Sequence, residues 1–219
     1  MIFNFDETQS TPLCEIMGRN QSDKGHQNIT ECWHNFTTFY YSIFKELREN
    51  KLRIFELGLG TNNTNLPSNM GKNGRPGASL YGWDEFFPNS KIFGADIDTN
   101  ILFNTDKIKT FYCDQRNSHI IKYMWNEPEL QENFDIIIED GLHTFNANVC
   151  FFENSIHKLN PNGYFIIEDI CKAEEHLFID KIKEWELKYD YCLFKLLDIP
   201  SSRNRCDNRL LVVFRPSNI

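Results

Sequence analysis

Long apolar runs are missing from this 219-residue chain, and none approaches the ~20 residues needed to cross a bilayer. Positive charge is in deficit: 23 Lys and Arg stand against 31 Asp and Glu, for a formal net charge of -8. That balance repels a phosphate backbone, whose binding relies on basic groups displacing counterions, so nucleic acid is not an expected partner. Paired cysteine motifs are also absent. The seven cysteines are odd in number and scattered, with no C-x-x-C spacing, which argues against zinc or dithiol chemistry and for a reducing compartment. Met1 to Ser10 shows neither a basic n-region nor an apolar h-region, so a cytoplasmic location is expected and the Asn28 and Asn35 triplets are expected to carry no glycan. There is no internal repeat or heptad pattern.

What is present is a core. Hydrophobic residues make up 41% and aromatics 14%, too many for a disordered chain, and the length suits one domain with decorations. Apolar runs of strand length alternate with helical patterns, the rhythm of parallel strands joined by helical crossovers. The expected strands are Arg53 to Leu57, Lys91 to Ala95, Ile108 to Cys113, Phe134 to Glu139 and Tyr164 to Ile167, all read as buried on both faces. Helices are expected over Ser79 to Phe86, His119 to Trp125, Phe145 to Leu159 and Glu174 to Lys188. Tyr191 to Asp198 and Arg209 to Phe214 are joined by a polar segment too short for a crossover helix, and read as an antiparallel pair closing one edge. Residues 1–50 read as a helical segment or lid, with a helix over Phe36 to Leu47, packed on a domain spanning 51–219. The Asn-, Gly- and Pro-rich Thr61 to Pro76 is an unusually long loop.

Two constellations carry chemistry. In the first, the buried strand ending Phe55-Glu56-Leu57 runs into Gly58-Leu59-Gly60, where glycines let a backbone approach a ligand. The next strand ends in Asp96-Ile97, and a carboxylate there can accept both hydroxyls of a ribose. The third ends near Asp114-Gln115, within reach of an adenine amino group. A third glycine at dinucleotide spacing is lacking, and Glu56 inside the strand is unusual for an NAD site, so the pattern lies closer to an S-adenosylmethionine site. In the second constellation, Glu139-Asp140-Gly141-Leu142-His143 and Glu168-Asp169 leave adjacent strands on one edge. Converging carboxylates favour a hard dication, which assigns Asp140, Glu168 and Asp169 as ligands of Mg2+ or Mn2+. His143 is placed to take a proton from an alcohol; His34 and then His26 follow it as candidates.

These residues, together with Ser22-Asp23-Lys24-Gly25, His34, Tyr40-Tyr41 and Gly77-Ala78-Ser79-Leu80, resemble the macrocin and mycinamicin sugar O-methyltransferases. The resemblance runs from about Ser22 to Ile170, and Glu139 stands where that family usually has Asp. It implies a Rossmann-like class I methyltransferase fold: a mostly parallel seven-stranded sheet with an antiparallel edge strand and helices on both faces. It also implies S-adenosylmethionine bound by Glu56, Gly58, Gly60, Ser79, Asp96, Ile97, Asp114, Gln115 and Asp140, a metal on Asp140, Glu168 and Asp169, and His143 with Asp140 as catalytic residues. Lys24, His34 and Tyr40 would face the substrate. The activity so implied is methyl transfer to a hydroxyl of a sugar or glycan acceptor, in natural-product or polysaccharide biosynthesis, by a protein that could be a homo-oligomer. A metal-dependent hydroxylase or hydrolase, and a methyltransferase for phosphorylated or nucleotide-linked small molecules, are the alternative readings.

Overall fold

The computed structural model describes residues 6, 9–25 and 34–217; His26, Cys32 and the Asn28 triplet lie outside the described residues. Among the described residues seven strands form one sheet: β1 Arg53–Leu57, β2 Lys91–Asp96, β3 Ile108–Tyr112, β4 Phe134–Glu139, β5 Leu159–Ile167, β6 Leu193–Asp198 and β7 Arg209–Arg215. Their order is β3-β2-β1-β4-β5-β7-β6. Pairing is parallel from β3 through β5, and β7 runs antiparallel to both β5 and β6. The expected antiparallel pair therefore closes that edge with β7 beside β5 and β6 outermost. Since β6 runs in the same direction as β5, Asp198 emerges on the same sheet edge as Glu139 and Ile167.

Six α-helices among the described residues cover the sheet: α1 Pro12–Arg19, α2 Phe36–Phe44, α3 Ala78–Phe86, α4 Ser118–Met124, α5 Phe145–Glu153 and α6 Glu175–Lys188. The first has no counterpart in the sequence reading. Thr11 starts it by accepting a hydrogen bond from the Cys14 amide, and Pro12 fits the first turn, where its missing amide costs nothing. Two readings change. The helix expected to reach Leu159 ends at Glu153, and β5 starts at Leu159 rather than Tyr164. β3 was expected to be buried on both faces; as an edge strand it half-exposes Lys109 and Phe111 and exposes Tyr112.

Alternation along the strands sends side chains to two separate cores. Phe55, Leu57, Phe93, Phe134 and Ile137 pack with Trp125, Phe151 and Trp185 on one face. Ile54, Ile92, Ile136, Ile138 and Ile166 pack on the other with Leu13, Met17, Phe36, Tyr40 and Phe44 of α1 and α2 and with Trp83 of α3. The N-terminal helices are thus part of the second core. No helix among the described residues is long and apolar enough to cross a membrane.

Candidate active site

Backbone pairing continues past the strand ends. The Gly58 amide donates to Ala95 O (2.8 Å), the Asp140 amide to Leu57 O (2.8 Å) and the Glu168 amide to Glu139 O (2.9 Å). This ladder brings Gly58, Asp140 and Glu168 level on three neighbouring strands. Gly58 has φ +92° and a Cβ there would collide with the Asp140 carbonyl, so the close approach of the β1 and β4 turns requires glycine.

A cavity of about 170 Å3 opens beside these turns. Gly58, Gly60, Ser79, Asp96, Ile97, Asp114, Gln115, Asp140 and His143 all line it, so most of the expected cofactor residues share one cleft at the carboxyl ends of β1 to β4. Asp96 is held in place by the amides of Leu59 (2.7 Å) and Asp98 (2.8 Å), leaving the remaining lone pairs for a ligand. Burial pushes its carboxyl upward, and those amides oppose the shift. Asp114 is clasped by Arg116, whose hydrogen bond holds its pKa below the usual range. Gln115 is already engaged: its amide nitrogen donates to Glu139 (2.8 Å) and its oxygen accepts from the Leu142 amide (2.8 Å), so it shapes the Glu139–Leu142 turn.

Glu56 is the expected cofactor residue that the cavity does not include. Strand alternation turns it into the second core, fully buried, where Ser79 Oγ and Trp83 Nε1 donate to it. The sequence reading also missed several walls of the cleft. Ser22 and Asp23 from the N-terminal segment line it, as do Leu66, Pro67, Ser68 and Met70 from the long loop, which Ser68 ties to the Leu142 carbonyl. The length of the Thr61 to Pro76 loop was the available signal.

Beyond the cleft lies a dense set of ionisable groups. Asp140, His143 and Asp169 offer ligand atoms within 4.8 Å of one another, the group among the described residues with metal-binding spacing. His143 Nε2 is 3.2 Å from Asp140 Oδ1, and His143 Nδ1 is 3.3 Å from Asp169 Oδ2. Both His143 (φ +59°) and Asp169 (φ +55°) adopt the left-handed backbone that non-glycine residues rarely visit, a strain concentrated at this point. Burial disfavours the imidazolium, yet Asp169 and Asp140 overcome it and push the His143 pKa up to about 10. His143 Nε2 and Asp169 Oδ1 are buried without a hydrogen-bond partner. An unsatisfied carboxylate oxygen at Asp169, beside a second carboxylate at Asp140, fits a bound cation.

Glu168, expected as the third ligand, is not in that group. Both its oxygens are occupied inside the protein: Lys24 Nζ lies 2.6 Å from Oε2 and the Tyr40 hydroxyl donates to Oε1 at 2.5 Å. Nor does Lys24 present a free ammonium to a substrate. It is buried, with Nζ 2.5 Å from Asp140 Oδ2 and 3.5 Å from Glu56. Burial opposes the ammonium, and Asp140, Glu168 and Glu56 outweigh that effect and hold its pKa well above the ordinary value. Tyr40 is likewise fully buried, its hydroxyl committed to Glu168. His34 sits on the other side of Asp169, its Nε2 3.3 Å from Oδ1.

No protein-family model matches the chain. A tetracenomycin rhamnosyl 3'-O-methyltransferase of Streptomyces olivaceus is 29% identical over 161 residues, covering 74% of this chain and 37% of that protein. Mycinamicin VI 2''-O-methyltransferase of Micromonospora griseorubida is 30% identical over 141 residues, 64% of this chain and 32% of that protein. The chain thus spans about a third of the length of these curated relatives. The solved MycE methyltransferase, in complex with Mg and SAH, superposes with a TM-score of 0.69 at 21% identity, covering 95% of this chain and 55% of that one. The fold is that of the class I methyltransferases, and the chain is similar in sequence to natural-product sugar O-methyltransferases.

Proposed function

We propose that the protein transfers a methyl group from S-adenosylmethionine to a hydroxyl of a sugar or sugar-containing small molecule, with Mg2+ or Mn2+ as cofactor. The observation carrying this reading is the contiguity of two features at one sheet edge: a cleft lined by Gly58, Gly60, Asp96 and Asp114, and the Asp140–His143–Asp169 group, with Asp140 and His143 belonging to both. Similarity to sugar O-methyltransferases supports it.

In this reading the bare glycines admit the cofactor backbone, Asp96 accepts the ribose hydroxyls, and Leu66, Pro67 and Met70 exclude water from the cleft. Oxygen donors from Asp140 and Asp169 would hold the metal, whose charge polarises the acceptor hydroxyl and opposes the His143 imidazolium. His143 Nε2 then receives the hydroxyl proton, and Asp169 at Nδ1 fixes the ring's orientation. Lys24 holds Asp140 Oδ2, which leaves Oδ1 to face the site. One histidine in the metal-capable group suits an oxygen-ligated dication better than the two-histidine facial triad of iron oxygenases. Methyl transfer from labelled S-adenosylmethionine to a panel of free and glycosidic sugars, with and without chelator, tests the reading. Chelator-sensitive labelling supports it, and labelling that persists at full rate under exhaustive chelation removes the metal.

A further inference from the structure

A second cavity lies on the β5–β7 side of the site. Because Asp198 and Arg209 lie on the same edge as Asp140 and Asp169, residues 199–208 arch over the β5 and β7 side of that edge, away from the cofactor cleft. Beneath this arch lies a cavity of about 450 Å3, lined among others by Lys172, Ser201, Asn204, Arg205, Asn208 and Arg209.

Its charge is opposite to that of the whole chain. The exposed Lys172 and Arg205 and the buried Arg209 stand against Asp198 in the lining and Glu175, 3.8 Å from Arg209 Nε, so three cations less two anions leave one positive charge. Neither Lys172 nor Arg205 makes an ion pair with a described residue. Arg209 is 4% exposed; its terminal nitrogens reach the Cys206 carbonyl (3.1 Å) and Asp198 (3.3 Å), but its Nε is buried without a hydrogen-bond partner. Glu175, at 3.8 Å from that Nε, pairs with its charge but is beyond hydrogen-bond range. A buried, partly unsatisfied guanidinium beside two unpaired cations is an arrangement that a multivalent oxyanion would complete.

The arch is also pre-formed. Ser201 Oγ accepts the amides of Arg203 and Asn204, Asn204 Oδ1 accepts that of Cys206, and Asn208 Nδ2 donates to Ile199 O and to Asn35. Two of its asparagines reach the reacting edge through one ring. His34 Nδ1 lies 3.1 Å from Asn204 Nδ2 and 3.2 Å from Asn208 Oδ1, while its Nε2 lies 3.3 Å from Asp169. The cavity is therefore one imidazole away from the proposed metal ligand.

We propose that this cavity is the acceptor's anion subsite, and that the acceptor is a sugar bearing a phosphate, either a sugar phosphate or a nucleoside-diphosphate sugar. A phosphate brings three acceptor oxygens, one for each of Lys172, Arg205 and Arg209, with the Ser201 hydroxyl beside them, where a carboxylate would supply two. The phosphate lies against Lys172, Arg205 and Arg209, and a hydroxyl of the attached sugar points past His34 towards Asp169 and His143. This assignment rests on the methyltransferase reading and narrows its acceptor.

The test is calorimetric titration of the full chain, saturated with S-adenosylhomocysteine, with inorganic phosphate, glucose 1-phosphate, UDP-glucose and methyl glucoside. Wild-type protein should bind the phosphate compounds and not the neutral glucoside, with affinity falling as KCl rises. The Lys172→Gln/Arg205→Gln double variant, which spares the buried Arg209, should lose at least about tenfold in that affinity while binding S-adenosylhomocysteine as wild type does. Tighter binding of UDP-glucose than of glucose 1-phosphate supports the nucleotide-linked source, and the reverse order the simple sugar phosphate. Unchanged phosphate affinity in the double variant, equal affinity for the neutral glucoside, or no binding of any phosphate compound to the S-adenosylhomocysteine complex would each overturn the subsite and leave the methyltransferase reading standing. Failure of wild-type protein to bind S-adenosylhomocysteine at all would instead overturn the underlying reading.

Discussion

Lys24 Nζ lies 2.5 Å from Asp140 Oδ2, so a carboxylate at the reacting edge is gripped by a buried cation from 116 residues earlier in the chain. The same ammonium serves Glu168 and Glu56, and it joins the segment between α1 and α2 to the ends of β1, β4 and β5.

Replacing Lys24 by Met strands three carboxylates at the protein's interior. Breaking a buried ion pair from one side costs roughly 3 to 5 kcal/mol, so thermal unfolding of Lys24→Met should shift down sharply. Added Mg2+ should raise its midpoint more than it raises that of wild type, because the metal then supplies the missing positive charge. A variant as stable as wild type in chelator would show that Lys24 is not the counter-charge.

The raised His143 pKa sets a pH window for the metal-free protein. The folded state binds that proton more tightly than the unfolded chain, so the stabilisation is complete below the ordinary imidazole value of 6.5 and fades as pH rises through about 10. Asp169, pushed up to about 6, and Glu139, pushed up to about 7, both chiefly by burial, lose their contributions lower in the pH range, and the upward-shifted Glu56 and Glu168 are common to wild type and a His143 variant, so the difference between the two slopes reports the histidine. Denaturation midpoints in chelator should fall between pH 7 and 10 for wild type, and His143→Gln should flatten that slope. An equal slope in both proteins would place the titration elsewhere.

Asp96 should govern cofactor affinity. Asp96→Asn keeps the shape but loses a charged acceptor, a loss of roughly 1.5 to 3 kcal/mol, or about 10- to 150-fold in the dissociation constant for S-adenosylhomocysteine. Calorimetry on the variant measures it, and unchanged affinity takes Asp96 out of the ribose site.

His143→Ala should keep its affinity for S-adenosylhomocysteine and lose about 100- to 10,000-fold in kcat with any accepted sugar, the usual contribution of a general base. Steady-state kinetics with methyl transfer rate-limiting separates this from a binding role, which would raise KM and spare kcat.

The strand ends were legible in the sequence because buried parallel strands are continuous apolar runs that stop where chemistry begins, as at Leu57, Asp96 and Glu139. Three things were not legible there. The first was that adjacent acids can point apart: the left-handed backbone at Asp169 separates its carboxylate from that of Glu168, which faces Lys24 and Tyr40. Burial of Glu56 and Glu168 did announce a need for counter-charge, but composition could not say whether a metal or Lys24 supplies it. Finally, α1 has only eight residues, too few for a periodic pattern to stand out, and it depends on packing against α2 and α3.

Under the proposed function, one edge of the sheet holds S-adenosylmethionine in the β1–β4 cleft and a divalent metal beside it. Asp169 belongs to the proposed metal group and does not line the cleft, so the isosteric Asp169→Asn separates the two. Titration of wild type with S-adenosylmethionine and with Mg2+ should show one site for each, and Asp169→Asn should bind S-adenosylmethionine unchanged while losing the Mg2+ signal. Absence of S-adenosylmethionine binding to wild type, or Mg2+ binding undiminished in the variant, would mean that this edge is not a joint cofactor and metal site.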